Sequence, residues 1–487
     1  MSGQQRQSRF EQSSDEVVVM KFGGTSVEDV AAIRRLIGIV RSRLGSQPVL
    51  VVSALSKVTD QLLGAGNAAA TGRLGSALAT VRDIYVRHEQ LADGLVDGSA
   101  YSALDRELRG DFRALESLLH NLDHSRQLDL RVQDELLGFG ECFSSRLVKE
   151  ALSQAGIGAA HVDARSCIVT DARHGQASPH WDETNQRLRD ALSPLLESKQ
   201  VPVLGGFIAS TPEGVPTTLG RGGSDFTAAI VGAALSASRV EIWTDVDGVM
   251  TTDPKLCREA RVIRKLSFDE AAELAHFGAK VLHPATLVPA MRESIPVYVL
   301  NSLRPDGEGT EISGRARSGD GVRAITAKSG LAAVEIESAQ AVGSDLLRKV
   351  YAAFDQHSCA VDIIAASLGR VSLLASSHAP LSAVAADLHG MANVRWENHK
   401  ALICLVGENL QRLPEVASEV FAAVGDLNVR VVSQGPSDRT ISFLVADENV
   451  QESVQRLHAL LFATSTTSPD WGGVSAAFCQ VGFTPAG

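Results

Sequence analysis

From Val17 onward, short β-branched runs alternate with stretches of helical spacing. Val17-Val18-Val19-Met20 is apolar without interruption, the mark of a strand buried on both faces, and a helix is predicted from about Ser26. Pro48-Val49-Leu50-Val51-Val52, Val201-Pro202-Val203-Leu204 and Arg239-Val240-Glu241-Ile242-Trp243 continue the series, each followed by loop residues and then a helical pattern. This repetition predicts an α/β fold, a mainly parallel sheet sandwiched by helices. Residues 61–155 are different: charged, leucine-spaced and almost free of strand signal, they predict helices laid over the sheet.

Near residue 301 the texture changes. Asn301 to Thr310 carries Pro305, Gly307 and Gly309, and Gly314 to Gly321 is again loop-like, which places the main boundary close to 320 and makes 17–320 one domain. Beyond it lies an internal repeat. Val350-Tyr351-Ala352-Ala353-Phe354 is echoed by Val420-Phe421-Ala422-Ala423-Val424, Val361-Asp362-Ile363-Ile364 by Val429-Arg430-Val431-Val432, and Ser372-Leu373-Leu374 by Ser442-Phe443-Leu444. The words recur in order at a nearly constant offset, which duplication explains more readily than chance similarity between short apolar words. Each copy reads as a ferredoxin-like βαββαβ module, expected over 325–400 and 401–487.

Composition narrows the function classes. The 487 residues are 44% hydrophobic and 21% charged, a globular balance, and the length calls for two or three domains. Lys and Arg number 46 against 57 Asp and Glu, a formal charge of −11 that argues against a nucleic-acid partner. A small anion remains possible, since it needs only a few local cations. No apolar run approaches the roughly 18 to 20 residues that span a bilayer. The first sixteen residues, MSGQQRQSRFEQSSDE, lack a signal-peptide core and predict a polar, disordered leader. Six scattered cysteines with no C-x-x-C predict neither a disulfide framework nor a zinc site, and suit a reducing cytoplasm.

Four segments carry candidate chemistry. In Lys21-Phe22-Gly23-Gly24-Thr25-Ser26, two glycines after a strand allow close backbone approach to a phosphate, and Lys21 adds a mobile charge; a plain turn is the other reading. It is not a Walker A loop, whose spacing occurs nowhere in the chain. In Gly220-Arg221-Gly222-Gly223-Ser224-Asp225, Ser224 or Asp225 can cap the helix that follows. Arg221, flanked by glycines, has little to pack on, and its fork suits a carboxylate or phosphate unless it is a surface loop residue. Trp243-Thr244-Asp245-Val246-Asp247-Gly248 begins like a calcium loop, but the pattern fails after Gly248 and a turn explains it. Lys280, in Phe277-Gly278-Ala279-Lys280-Val281-Leu282-His283-Pro284, can reach a phosphate or snorkel to solvent. His276 and His283 lack a third ligand, so no metal site is assigned. Together the cations imply a polyanion site of the kind phosphoryl transfer requires.

These four strings, in order, resemble those of the aspartate kinases of the amino-acid kinase superfamily, and the duplicated tail is similar to their paired ACT domains. The resemblance covers nearly the whole chain after the leader and is closest to the single-function, lysine-sensitive type. It implies an amino-acid kinase fold and transfer of the ATP γ-phosphate to the β-carboxylate of L-aspartate, giving 4-phospho-L-aspartate for lysine, threonine and methionine synthesis. By motif match, Lys21 holds the transferring phosphoryl group and, with Asp225 and Lys280, makes the catalytic set. Phe22, Gly23, Gly24, Thr244, Asp245, Met250, Lys255, Lys280 and Val281 serve the nucleotide, with the Gly23 and Gly24 N–H groups on its phosphates. Ser53, Ala54, Thr59, Glu141, Arg221, Gly222, Gly223 and Ser224 serve aspartate, Glu141 taking its ammonium and Arg221 a carboxylate. Magnesium would ride on the ATP phosphates. Val361, Asp362 and Ser367 would face an amino-acid effector, lysine or threonine, and the ACT modules would pair into a homodimer or higher assembly. Cys142, Met250, Lys255 and Leu368 depart from the family pattern. Of these, Cys142, Met250 and Leu368 motivate the alternative of an amino-acid sensor with a degenerate kinase domain. The kinase reading requires Lys21 and Arg221 to converge on one cleft.

Overall fold

The computed structural model describes residues 16–279, 284–314, 319–338, 344–367, 369–427, 429–434 and 437–462. The leader expected over 1–16 lies, but for Glu16, outside them. Contacts divide the chain into two compact units, one of Met1–Val249, Val262–Ala272 and Lys280–Arg317, the other of Met250–Arg261, Glu273–Ala279 and Ser318–Gly487.

In the first unit β1 (Val17–Phe22) leads through a 3-10 turn at Gly24–Ser26 to α1 (Val30–Arg41). The helix begins later than predicted because Asp29 caps it, its carboxylate accepting the Ala32 N–H at 2.7 Å. After β2 (Gln47–Val52) come α2 (Val58–Ala70), α3 (Leu74–Leu95), α4 (Gly98–Ser125) and α5 (Leu130–Gln154), the helical layer that the leucine spacing predicts. On α4, Leu104, Leu108, Phe112, Leu115, Leu119 and Leu122 recur every three or four residues and are all buried, the stripe that holds the layer down. Next are β3 (Ala159–Val162), α6 (Ala164–Cys167), α7 (Trp181–Glu197), β4 (Val201–Gly205) and the hairpin of β5 (Ile208–Ser210) and β6 (Pro216–Thr218). Then follow α8 (Gly223–Ala234), β7 (Arg239–Thr244), β8 (Lys265–Leu266), α9 (Phe268–His276, its residues from Glu273 on counted in the second unit), α10 (Pro284–Arg292), β9 (Val297–Asn301) and β10 (Thr310–Ile312).

The main sheet runs β3-β4-β2-β1-β7-β9-β10-β8 and is parallel except where β9 meets β10. From β1 the chain first builds outward through β2 to one side, and later returns as β7 on the other. The crevice beyond the carboxyl ends of β1 and β7 is thus a topological switch point, where open parallel sheets bind ligands.

In the second unit β11 (Gly321–Glu337), α11 (Ser344–Gln356), β12 (Val361–Ser367), β13 (Arg370–Ser376), α12 (Leu381–Asp387), β14 (Asn393–Glu408), α13 (Pro414–Val424), β15 (Arg430–Gln434), β16 (Thr440–Ala446) and α14 (Val450–Phe462) form one six-stranded antiparallel sheet with its helices. Its order is β12-β13-β11-β14-β16-β15. The repeat appears as two related halves, β12-β13-β11-β14 and β15-β16-β14-β11, that share the two long central strands. The first part of β11 pairs with the last part of β14, and the last part of β11 with the first part of β14. Position 400, where the sequence divides the modules, falls inside β14. Each half packs its own apolar core, one around Val334, Phe354 and Leu373, the other around Ile403, Phe443 and Leu457. No helix among the described residues is long and apolar enough to cross a membrane.

Candidate active site

The floor of the switch-point crevice is set by β1 and β7. Buried Glu241 on β7 accepts from Arg239 Nε at 2.8 Å, Arg43 Nε at 3.0 Å and Trp243 Nε1 at 3.1 Å, which fixes the indole. Phe22 is fully buried and stacks on Trp243, centroids 6.2 Å apart. The sequence assigns Phe22 to the nucleotide; its ring lies in the core instead and supports the loop from beneath. Pattern reading missed Glu241, because an acidic residue inside a strand gives no hint of which cations will meet it.

Above that floor the Gly23–Ser26 turn is tied on three sides. Gly23 N–H donates to Trp243 O at 3.1 Å, Ser26 Oγ to Ser302 Oγ at 2.9 Å, and Ser56 N–H to Gly24 O at 3.2 Å. A Cβ on Gly24 would lie 2.9 Å from Ala54 O and 3.1 Å from Ser56 N, so this position admits no side chain. The Gly23 N–H, expected on a phosphate, is therefore already engaged by β7. The N–H of Gly24 has no acceptor among the described residues, as the first turn of a helix leaves it.

Lys21, at the carboxyl end of β1, reaches Asp225 in the first turn of α8, Nζ to Oδ1 2.6 Å. Both side chains are nearly enclosed, 12% and 14% exposed. Behind them stands Glu141 on α5, 4% exposed, with Oε1 accepting the Ala54 N–H at 3.2 Å and no hydrogen-bond partner for Oε2 among the described residues. Burial pushes the Glu141 carboxyl up to about 8, against the pull of the Ala54 N–H and the Lys21 charge. The site thus holds an ion pair beside a neutral acid with one oxygen unpartnered among the described residues. Such a group can ionise when a cation arrives.

The remaining residues assigned from sequence distribute as follows. Ser53, which donates its N–H to Phe22 O at 3.1 Å, and Ala54 follow β2 directly, while Thr59 is half-buried in the first turn of α2. Gly222 caps α8 at φ +73, Gly223 abuts Phe207, and Ser224 is buried against Gly206, whose added Cβ would lie 2.7 Å from the serine Cβ. Neighbouring Gly205 leaves room for Glu141, since an added Cβ there would lie 3.1 Å from the glutamate Cβ. Pattern reading passed over Gly205-Gly206, although it repeats the grammar of Gly23-Gly24, a glycine pair closing a buried strand. Arg221 is exposed and lines a hollow of about 420 Å³ with Arg173, Gln176, Trp181 and Phe226; Lys21 does not line it. Lys21 and Arg221 are therefore brought to the same end of α8, one through Asp225 and one through the preceding loop. Thr244 closes β7, its carbonyl accepting the Ser302 N–H at 2.8 Å, and Asp245 is exposed. Met250 and Lys255 belong to the second unit, where Lys255 lines a hollow of about 840 Å³ with Arg258, Arg261 and His458. Lys280 and Val281 lie outside the described residues. In β12, Val361 and Asp362 are half-buried and Ser367 exposed; Leu368 lies outside the described residues. Asp362 accepts from Lys328 at 2.5 Å.

Comparison with known proteins gives the geometry a context. Residues 16–301 match the model of the amino acid kinase family, and residues 403–461 match an ACT domain. The chain is 34% identical to lysine-sensitive aspartokinase 3 of Escherichia coli, over 92% of this chain and 99% of that one. It is 33% identical to chloroplastic aspartokinase 2 of Arabidopsis thaliana, over 92% and 84% respectively. Among solved structures, E. coli aspartokinase III with aspartate and ADP, described as the R-state, matches at a TM-score of 0.80 and 33% identity, over 92% of this chain and 100% of that one. The T-state of the same enzyme, with lysine and aspartate, matches at 0.78 and 33% identity, over 92% and 99%.

Proposed function

The chain belongs to the amino acid kinase family and, within it, to the aspartokinases, and on that premise we propose how its site phosphorylates aspartate. The reaction moves the γ-phosphoryl group of ATP to the β-carboxylate of L-aspartate, giving 4-phospho-L-aspartate and ADP. The attacking carboxylate is already ionised at neutral pH, so the protein need not supply a strong base. What it supplies is position and positive charge. The observation that carries the reading is the Lys21–Asp225 pair beside buried Glu141 at the switch point.

Asp225 holds the Lys21 ammonium at the mouth of the sheet before any ligand arrives. Lys21 then neutralises charge on the phosphoryl group in flight, with the free N–H of Gly24 as a second donor. Glu141 takes the α-ammonium of aspartate, losing its proton as it does so, and Arg221 grips a carboxylate with its fork. Ser224, Ser53 and Ala54 bound the substrate side, and Thr244 and Asp245 the nucleotide side. Among the described residues no three His, Cys, Asp or Glu side chains gather as a metal site. Mg²⁺ would be carried by the nucleotide phosphates, where it would offset their charge.

The second unit is a regulatory sheet for an amino-acid effector, with lysine the first candidate and Asp362 its reader. The chain pairs at least as a homodimer through residues beyond about 325. The cysteines among the described residues are free and buried, which suits a reducing cytoplasm. An ADP-release assay tests the core of this reading. Turnover that depends on aspartate, ATP and Mg²⁺ is expected, and none at saturation would leave a sensor with a degenerate kinase unit.

A further inference from the structure

A second buried carboxylate stands on the face of α5 that carries Glu141. Asp134 lies seven residues earlier, two helical turns away, and is 1% exposed. Its oxygens accept from the Thr218 hydroxyl at 2.5 Å, from the Gly175 N–H at 3.0 and 3.1 Å, and contact the His174 ring at 2.9 Å. A buried carboxylate is expensive unless its lone pairs are filled, and here they are. The three partners come from two separate segments. Thr218 ends β6, while His174 and Gly175 form the tip of the loop between α6 and α7, with Gly175 at φ +81. The Ala177 N–H, donated to Thr218 O at 2.9 Å, closes the same junction.

That junction shapes the backbone of the next residues. Gly220, at φ +76, lies against the loop tip so closely that a Cβ would be 3.1 Å from Gly175 O and 3.3 Å from Gln176 Cγ. Arg221 follows immediately, exposed, in the hollow that Gln176 also lines. Gly220 sets the backbone from which Arg221 leaves, and the loop it lies against is the one that Asp134 clamps to β6.

We infer that Asp134 is a positioning residue for substrate recognition, holding the α6–α7 loop so that Arg221 is aimed at the amino-acid carboxylate. The inference rests on the reading of Arg221 given above. One helix would then address both ends of the substrate, Glu141 touching the ammonium directly and Asp134 setting the carboxylate grip from a distance.

A double-mutant cycle on the full chain tests this, with wild type, Asp134→Asn, Arg221→Ala and the double variant assayed for kcat and for both KM values. Asp134→Asn keeps the size of the side chain but loses its charge and its second acceptor. It should raise the aspartate KM about tenfold, leave the ATP KM and kcat within about twofold, and add nothing to the KM of the Arg221→Ala protein. Thr218→Val, which removes one donor and keeps the volume, should move the aspartate KM the same way by less, and it carries the test if Asp134→Asn does not fold. An aspartate KM unchanged by both variants would overturn the inference. So would kcat and both KM values changing together, or a full extra loss in the double variant. If Arg221→Ala itself leaves the aspartate KM unchanged, the assignment of Arg221 falls first and this inference with it.

Discussion

Each unit of the chain holds a lysine–aspartate pair, and the two differ in what surrounds them. Lys21–Asp225 spans 2.6 Å at the carboxyl end of a parallel strand, with both side chains nearly enclosed and a buried, uncharged carboxyl behind them. Lys328–Asp362 spans 2.5 Å across an antiparallel sheet, from β11 to β12 with β13 between them in strand order, and is 37% and 19% exposed. The chemistry of the two pairs is the same. The first sits where water is scarce, so its charges act strongly on whatever enters. The second is partly exposed, so solvent screens it more and lets its partners exchange at lower cost. The enclosed pair suits catalysis, and the open one suits a contact that a charged ligand can replace.

The comparison breaks most sharply at Lys21. Lys21→Ala should lower kcat by roughly 10²–10³, about 3–4 kcal/mol, as for the loss of one preorganised donor, while Lys328→Ala leaves effector-free kcat within about twofold. Similar losses in the two variants, measured by ADP release, would end the distinction between the pairs. Next in size is Arg221→Lys. The charge survives but the paired donors do not, so the aspartate KM should rise about tenfold with the ATP KM unchanged. An unaltered aspartate KM would remove Arg221 from the site.

Glu141→Gln probes the enclosure itself. The folded carboxyl titrates near 8, above the usual carboxylate value of 4.5, so the group contributes stability at low pH that is lost as pH rises through about 8. The glutamine variant has no proton to lose. Its melting temperature, compared with wild type in the absence of ligand, should gain more at pH 8.5 than at pH 6. Equal offsets at the two pH values would mean that Glu141 is not buried as a neutral acid. The same titration requires aspartate binding near pH 7 to release a proton from the wild type. Calorimetry in buffers of different ionisation enthalpy reads that release directly.

The two regions also differ in how far their sequence discloses them. Strands such as Val17–Phe22 and Arg239–Thr244 are visible because a strand buried on both faces needs unbroken apolar residues, and the site glycines are visible because they close such strands. Which partner meets which charge is not visible. Lys21 and Asp225 are distant in sequence, and only the return of β7 beside β1 brings α8 over the lysine. Asp134 reads as one more charge on a charged helix, since burial on one face of α5 depends on β6 and a loop that come much later. In the second unit the repeated words disclose two modules but not that both share β11 and β14. A period counts residues, and says nothing of where a strand passes from one module to the next.

The smallest expected effect is the most informative about regulation. Lys328→Met removes the ammonium from a partly exposed pair and keeps the length of the side chain. Such pairs contribute about 0–1 kcal/mol, so the melting temperature should fall by no more than about 2 °C. The consequence for an effector runs the other way. Lys328 is to Asp362 what an amino-acid ammonium would be, and an effector ammonium bound there would compete with it for one carboxylate. If lysine is the effector and Asp362 its reader, deleting the internal ammonium should lower the lysine concentration needed for half-inhibition several-fold, with uninhibited kcat unchanged. Asp362→Asn should raise that concentration or abolish inhibition. A Lys328→Met enzyme with unchanged lysine sensitivity would make the open pair a local tie of the sheet, and the likeness between the two lysine–aspartate pairs would then stop at their chemistry.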